Sequence, residues 1–199
     1  GEAGTGVLNI TADNEGLDTE LHLTINGGTI NITSGNDGIN TNEDNVSVTT
    51  VNGGSVNIQV TGETGEGDGI DSNGWLVING GAVTAAACSG SGDAGIDATM
   101  GITINGGTVA ASGNMYDQID GGAQNYVVFS FASRQNGGQT YTLQNADGET
   151  VGTWTPANDF TCLVVSSPDL TAGDYTLWQG DTQLAGTMSD GVGSPGGGR

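Results

Sequence analysis

The tripeptide Asn-Gly-Gly occurs at 26–28, 52–54, 79–81 and 105–107, at spacings of 26, 27 and 26 residues. Each copy follows a pair that reads as apolar at alternate positions, Leu23/Ile25, Thr49/Val51, Leu76/Ile78 and Ile102/Ile104. Each precedes another such pair, Ile30/Ile32, Val56/Ile58, Val83/Ala85 and Val109/Ala111. A further apolar position, Leu17, Ile39, Ile70, Ile96 and Ile119, lies inside an acidic motif: "NEGLDTE" (14–20), "NDGINTN" (36–42), "GDGIDSN" (67–73), "DAGIDAT" (93–99) and "DQIDGG" (117–122). "GVLNITADNEGLD" (6–18) aligns with "GTINITSGNDGIN" (28–40) without a gap, so the repeat opens partway through a unit.

Alternation with period 2 means short strands with one buried face. Three such strands in every repeat, joined by Gly-rich corners, predict an all-β chain built as a single-stranded parallel β-helix of about five coils over residues 1–125. One coil cannot bury its own apolar face. Stacked coils bury it in columns of like residues one strand spacing apart, ~4.8 Å. The Gly pairs supply corner conformations with positive φ. Asn26, Asn52, Asn79 and Asn105 are expected to form a ladder of side-chain amides. The inward column narrows from Ile32 and Ile58 to Ala85 and Ala111, which calls for a thinner coil or for filling from elsewhere.

From Tyr126 the pattern changes. "YVVFSFAS", "QTYTLQN", "ETVGTWT", "FTCLVVSS", "DYTLWQG" and "TQLAG" read as antiparallel strands of a small module over 126–190, with "NADGE" (145–149) as a hairpin turn. Most of the aromatic residues lie here, giving the module its own core. A Gly-rich tail fills 191–199.

Charge restricts the partners. There are 23 acids against two basic residues, Arg134 and Arg199, and the net charge is −21. Such a surface repels phosphate backbones and anionic membranes, which argues against nucleic acid and membrane insertion as partners. No apolar run approaches the ~18 residues needed to cross a bilayer. Strict apolar patterning sets the chain apart from a disordered acidic segment.

In the acidic motif the Ile points inward, so the residue after it faces out, and a second column lies two residues before it. This predicts one outward column of Asp18, Asn40, Asp71, Asp97 and Asp120, and a second of Glu15, Asp37, Asp68, Ala94 and Asp117. Carboxylates ~5 Å apart repel by ~3 kcal/mol per pair at an effective dielectric of ~20. The expected β-helix offers no Lys or Arg to offset this. Protonation is one remedy and a bound divalent cation another. Oxygen-only ligands suit calcium, and Asp68, Asp71 and Asp97, then Asp37, Asn40 and Asp93, are the expected ligands. Glu63 and Glu66 lie beside the same edge. The competing reading is a solvated acidic edge of the halophilic kind.

"DGINTN", "DGIDSN" and the repeated "[TV]INGG[TSA]V" resemble bacterial secreted proteins of a carbohydrate-binding domain-containing family, over roughly residues 6–187. "FTCLVVSSPDLTAGDYTLWQGDTQLAG" is similar to the module that follows the helix in that family. The resemblance implies a right-handed parallel β-helix related in architecture to pectate lyases, with calcium in the acidic clusters. It also implies binding of plant-type or acidic polysaccharide without catalysis. "AGIDAT" departs from the pattern: Ala94 stands where the first acid is expected, and Asp93 lies one residue earlier.

Lyases of this architecture use a Lys or Arg base, which residues 1–125 lack, and the one histidine, His22, lies outside the repeated Gly-Ile-Asp motif. A catalytic constellation is therefore not expected. Cys88 and Cys162 lie in different modules, as a disulfide of a secreted protein or as two buried thiols. Trp75 is not demanded by the repeat, whose matching positions hold His22, Val48 and Gly101. Its ring is a candidate for stacking on a sugar or for packing against a neighbour. The expected function is a non-catalytic, calcium-binding extracellular or cell-surface protein of a prokaryote that binds polysaccharide, with calcium bridging to an acidic glycan. The alternative is a homo-oligomeric, self-assembling extracellular filament or surface layer with calcium at its joints.

Overall fold

A computed structural model describes residues 4–62 and 67–189. Glu63, Glu66, Arg199 and the Gly-rich tail lie outside the described residues. The described chain is all-β and forms a β-solenoid of four three-sided turns, followed by antiparallel strands. The first turn holds β1 (Val7–Ala12), β2 (Leu17–Thr19) and β3 (His22–Ile25). The second holds β4 (Thr29–Ser34), β5 (Ile39–Thr41) and β6 (Val48–Val51). The third holds β7 (Ser55–Val60), β8 (Ile70–Ser72) and β9 (Trp75–Ile78). The fourth holds β10 (Ala82–Ala86), a single bridge at Ile96, and β11 (Gly101–Ile104). A shortened last passage adds β12 (Thr108–Gly113) and β13 (Ile119–Gly121).

Strands of one side stack in parallel register. Ile32 pairs with Ile58, Ile58 with Ala85 and Ala85 with Ala111. Ile25, Val51, Ile78 and Ile104 form a second buried column, and Ile39, Ile70 and Ile96 a third. The corners follow from glycine. The second glycine of each of the four repeated corners, Gly28, Gly54, Gly81 and Gly107, has φ between 83° and 88°, which an L side chain rarely adopts. The asparagine ladder is present: Asn52, Asn79 and Asn105 each donate Nδ2–H to the Oδ1 of the asparagine one turn earlier, at 2.8 Å. A second ladder, Asn57 to Asn31 to Asn9, runs up the long sheet. Inside, Thr49 is not an apolar filler. It lies with Thr41, Ser47 and Ser72 in a fully buried hydroxyl seam, where Thr41 Oγ1 donates to Ser72 Oγ at 2.7 Å and Ser47 Oγ donates to the Thr41 carbonyl.

The remaining strands are β14 (Tyr126–Gln135), β15 (Tyr141–Asn145), β16 (Thr150–Trp154), β17 (Phe160–Ser166), β18 (Tyr175–Gln179), β19 (Thr182–Gln183) and β20 (Thr187–Ser189). β17 pairs antiparallel with β12, and β14 and β20 follow it, so the long sheet of the solenoid runs on as β12-β17-β14-β20. The last rung of this side is thus covered by the chain itself. β14 and β17 are two-faced. Val128, Cys162 and Val164 join the solenoid core, which supplies the filling that Ala85 and Ala111 call for. Val127, Phe129, Phe131, Leu163 and Val165 face a second core with Tyr141, Phe160 and Leu177. β15, β16, β18 and β19 form a separate antiparallel sheet.

The disulfide that the sequence allows is not formed: Cys88 and Cys162 are free and buried. Cys88 Sγ donates to the Gly62 carbonyl at 2.8 Å, and burial pushes the Cys162 thiol up to about 11.

Candidate functional site

The acidic motifs stack along the three-stranded sheet β2-β5-β8. Asp18, Asn40 and Asp71 stand in register, and Asp97 follows next to the Ile70–Ile96 bridge. The second column has a clear local logic. Asp37 Oδ1 accepts the backbone N–H of Asp68 at 2.8 Å, and Asp68 Oδ1 accepts that of Ala94 at 2.6 Å. Each carboxylate caps a donor of the next turn. Ala94 contributes its backbone there and no carboxylate, while the neighbouring Asp93 is among the charges acting on both Asp37 and Asp68. Glycine is needed between the two columns. A Cβ on Gly38 would lie 2.2 Å from Ile58 Cγ2, and one on Gly69 would lie 2.3 Å from the Gly95 carbonyl oxygen.

One predicted member is elsewhere. Asp120 is not in the outward column, because Ile119 pairs with Ile102 in the five-stranded sheet β13-β11-β9-β6-β3. The last passage of the solenoid has no full turn above it. Its acids instead accept backbone donors of the preceding turn: Asp120 Oδ2 takes Ile102 N–H at 3.0 Å, and Asp117 Oδ2 takes Ala98 N–H at 2.9 Å. Asp117 thereby comes beside Asp97, and the two carboxyl groups share a hydrogen bond.

Burial, reinforced by crowding, pushes three carboxyl groups of the edge upward. Burial raises Asp68 from 3.8 to about 8, with Asp97, Asp93 and Asp37 adding repulsion. Burial raises Asp97 to about 7, reinforced by Asp117 and Asp71. Burial raises Asp37 to about 6 although it accepts the Asp68 N–H, and Asp71, Glu15 and Asp93 add to the rise. Three oxygens on or beside this edge, Asn36 Oδ1, Asn40 Oδ1 and Asp93 Oδ2, are buried without a hydrogen-bond partner. Buried polar atoms rarely go unsatisfied. No three Asp, Glu, His or Cys side chains among the described residues converge as a metal centre on their own. The donors here are carboxylates in stacked pairs together with amide oxygens, an all-oxygen set of the kind a hard cation takes.

Of the six predicted ligands, Asp68, Asp97, Asp37, Asp71 and Asp93 act on one another electrostatically, and Asn40 is the rung below Asp71. Sequence reasoning left out one residue of the edge and one pairing within it. Asn36 stands one residue before Asp37 in the same motif, and Asp117 was legible as an acid of the last repeat but not as the partner of Asp97. Trp75 is on a different side of the solenoid. It opens β9, is 37% exposed, and is separated from Asp71 by the Ser72–Gly74 corner.

A search of curated proteins and one of solved structures each returned no match. A family model does match, over residues 3–148, which takes in the whole solenoid, β14 and β15 and stops short of the later strands that the sequence resemblance includes. The match spans most of the chain, which therefore belongs to the family of carbohydrate-binding domain-containing proteins.

Proposed function

We propose that the protein is a non-catalytic, extracellular polysaccharide-binding solenoid whose acidic edge is held by calcium. Membership of a carbohydrate-binding family supports the polysaccharide-binding part. The calcium reading rests on three carboxyl groups raised to about 6, 7 and 8 beside buried, unpartnered oxygens. Asp68, Asp71, Asp97 and Asp93, with Asp37, Asn40 and Asn36, would hold the ion. Bound there, calcium supplies the positive charge that no neighbouring side chain of the edge provides. Its role is to let stacked carboxylates ionise without driving the turns apart.

The absence of catalysis is supported by the way the edge is built. Asp37, Asp68 and Asp117 each spend one oxygen on a backbone donor of an adjacent turn, as structural caps do, and Asp37 and Asp68 keep the other for an ion. The test is retention of calcium-loaded protein on a panel of insoluble polysaccharides, with reducing ends assayed in the same tubes. Retention without sugar release is expected. Release of reducing ends above background, or no retention by any polymer, would contradict the proposal.

A further inference from the structure

We infer that the glycan platform is the outer face of the five-stranded sheet, and that its ligand is an uncharged polysaccharide laid along the solenoid axis. This rests on the polysaccharide-binding reading and specifies its site and ligand class. Three parallel columns run up this face. His22, Val48, Trp75 and Gly101 are in register, and so are Thr24, Thr50, Val77 and Thr103. The asparagine ladder Asn26-Asn52-Asn79-Asn105 borders them, exposed at each rung.

The columns supply what a sugar polymer needs. Trp75 offers an aromatic surface to the apolar face of a pyranose ring. Each amide within the ladder spends one N–H and one oxygen lone pair on its neighbours, and keeps a second donor and a second lone pair. The same donor-acceptor pair therefore recurs at every turn, ~4.8 Å apart. That rise is comparable with the length of one sugar residue in an extended chain, so an axial polymer meets an equivalent amide at each unit. A polymer lying across the turns would meet the array once.

Charge selects the polymer. β3, β6, β9 and β11 carry no Asp, Glu, Lys or Arg. Asp120, on β13, is the one carboxylate on the strands of this sheet, and its Oδ2 accepts the Ile102 N–H. The acidic edge lies beyond the Ser72–Gly74 corner, on another sheet. A polyanion on this face would find no Lys or Arg, and would approach a chain of net charge −21. A neutral polymer meets hydroxyls, amides, an imidazole, two valines and an indole. Calcium on the acidic edge then does not bridge to the sugar, and binding does not require it.

The test is affinity electrophoresis and pull-down of wild type, Trp75→Ala and Thr50→Glu with cellulose, xylan, a mixed-linkage β-glucan and polygalacturonate. Each is run with calcium and with chelator under conditions where the protein stays folded, and melting temperatures are measured alongside. The expected result is binding of at least one neutral polymer, weakened at least tenfold by either substitution, insensitive to chelator, with melting of Trp75→Ala close to wild type. Neutral binding that survives both substitutions, or wild-type binding confined to polygalacturonate, overturns this inference and leaves the proposed function standing. No binding of any polysaccharide by wild type overturns both.

Discussion

The melting temperature of the calcium-stripped protein is expected to fall by roughly 10 °C between pH 5 and pH 8.5. The sign follows from the acidic edge. Asp37, Asp97 and Asp68 have folded-state values of about 6, 7 and 8 against 3.8 for the free side chain. The folded state therefore binds more protons than the unfolded state between these limits, and stability falls as pH rises through them. Below about pH 4 both states are protonated and there is no penalty; above about pH 8 the penalty is complete. A tenfold weakening of proton binding on unfolding corresponds to about 1.4 kcal/mol, so the three groups together, reduced for their partial solvent screening, amount to a few kcal/mol. Asp68→Asn separates charge from shape. The amide keeps an oxygen to accept the Ala94 N–H and loses the charge. At pH 8.5 the stripped variant is expected to melt above stripped wild type, with a shallower pH slope. A stripped wild type that becomes more stable from pH 5 to pH 8.5 would contradict the crowded, half-buried edge.

The second large effect is steric. Gly69→Ala adds a single methyl group, yet a Cβ there would lie 2.3 Å from the Gly95 carbonyl oxygen and 2.8 Å from Ala85 Cβ. One neighbour is backbone of the next turn and the other is a core residue, so the turns must separate or the strand must shift. Overpacking of this kind typically costs about 1–3 kcal/mol, and a backbone clash lies at or above the top of that range. A fall of roughly 10 °C in melting temperature is expected at any pH. Gly121→Ala is the control, because its Cβ would meet nothing within 4 Å. Equal melting of the two variants would show that the acidic motif does not need the close approach assigned to its glycine.

The solenoid is legible in the sequence because its stabilising contacts repeat. Ile25, Val51, Ile78 and Ile104 occupy one column because each sits just before an Asn-Gly-Gly corner, and the corner fixes the spacing. The end of the solenoid is not legible in this way. Asp120 follows an Ile in an Ile-Asp-Gly stretch and looks like a further rung. Instead Ile119 pairs with Ile102 at the end of the solenoid, where β12 pairs antiparallel with β17, as at Val109 and Ser166, in a long-range pairing that no local pattern encodes. The same pairing explains why Ala85 and Ala111 can be small: Val128, Cys162 and Val164 enter the solenoid core from far along the chain. Thr49 shows a third limit. Its inward position was readable from alternation, but the buried hydroxyl seam with Thr41 and Ser72 forms only when two sides of the solenoid face each other. For the site, the columns of acids were readable and their internal bonding was not. That Asp37 and Asp68 cap backbone donors of the next turn, and that Asn36 and Asn40 keep unpartnered oxygens, depends on stacking geometry.

If a cation holds the acidic edge, it must stabilise the fold most where the carboxylates are most ionised. The direct measurement is the melting temperature of stripped protein at pH 8.5 titrated with calcium, with wild type beside Asp68→Asn. A ligand bound only by the folded state at a hundredfold excess over its dissociation constant stabilises by about 2.7 kcal/mol, a rise of roughly 5–10 °C. That rise is expected for wild type at millimolar calcium, smaller at pH 5 and largely lost in Asp68→Asn. No rise at pH 8.5 at millimolar calcium would contradict the assignment of the acidic edge as a calcium site.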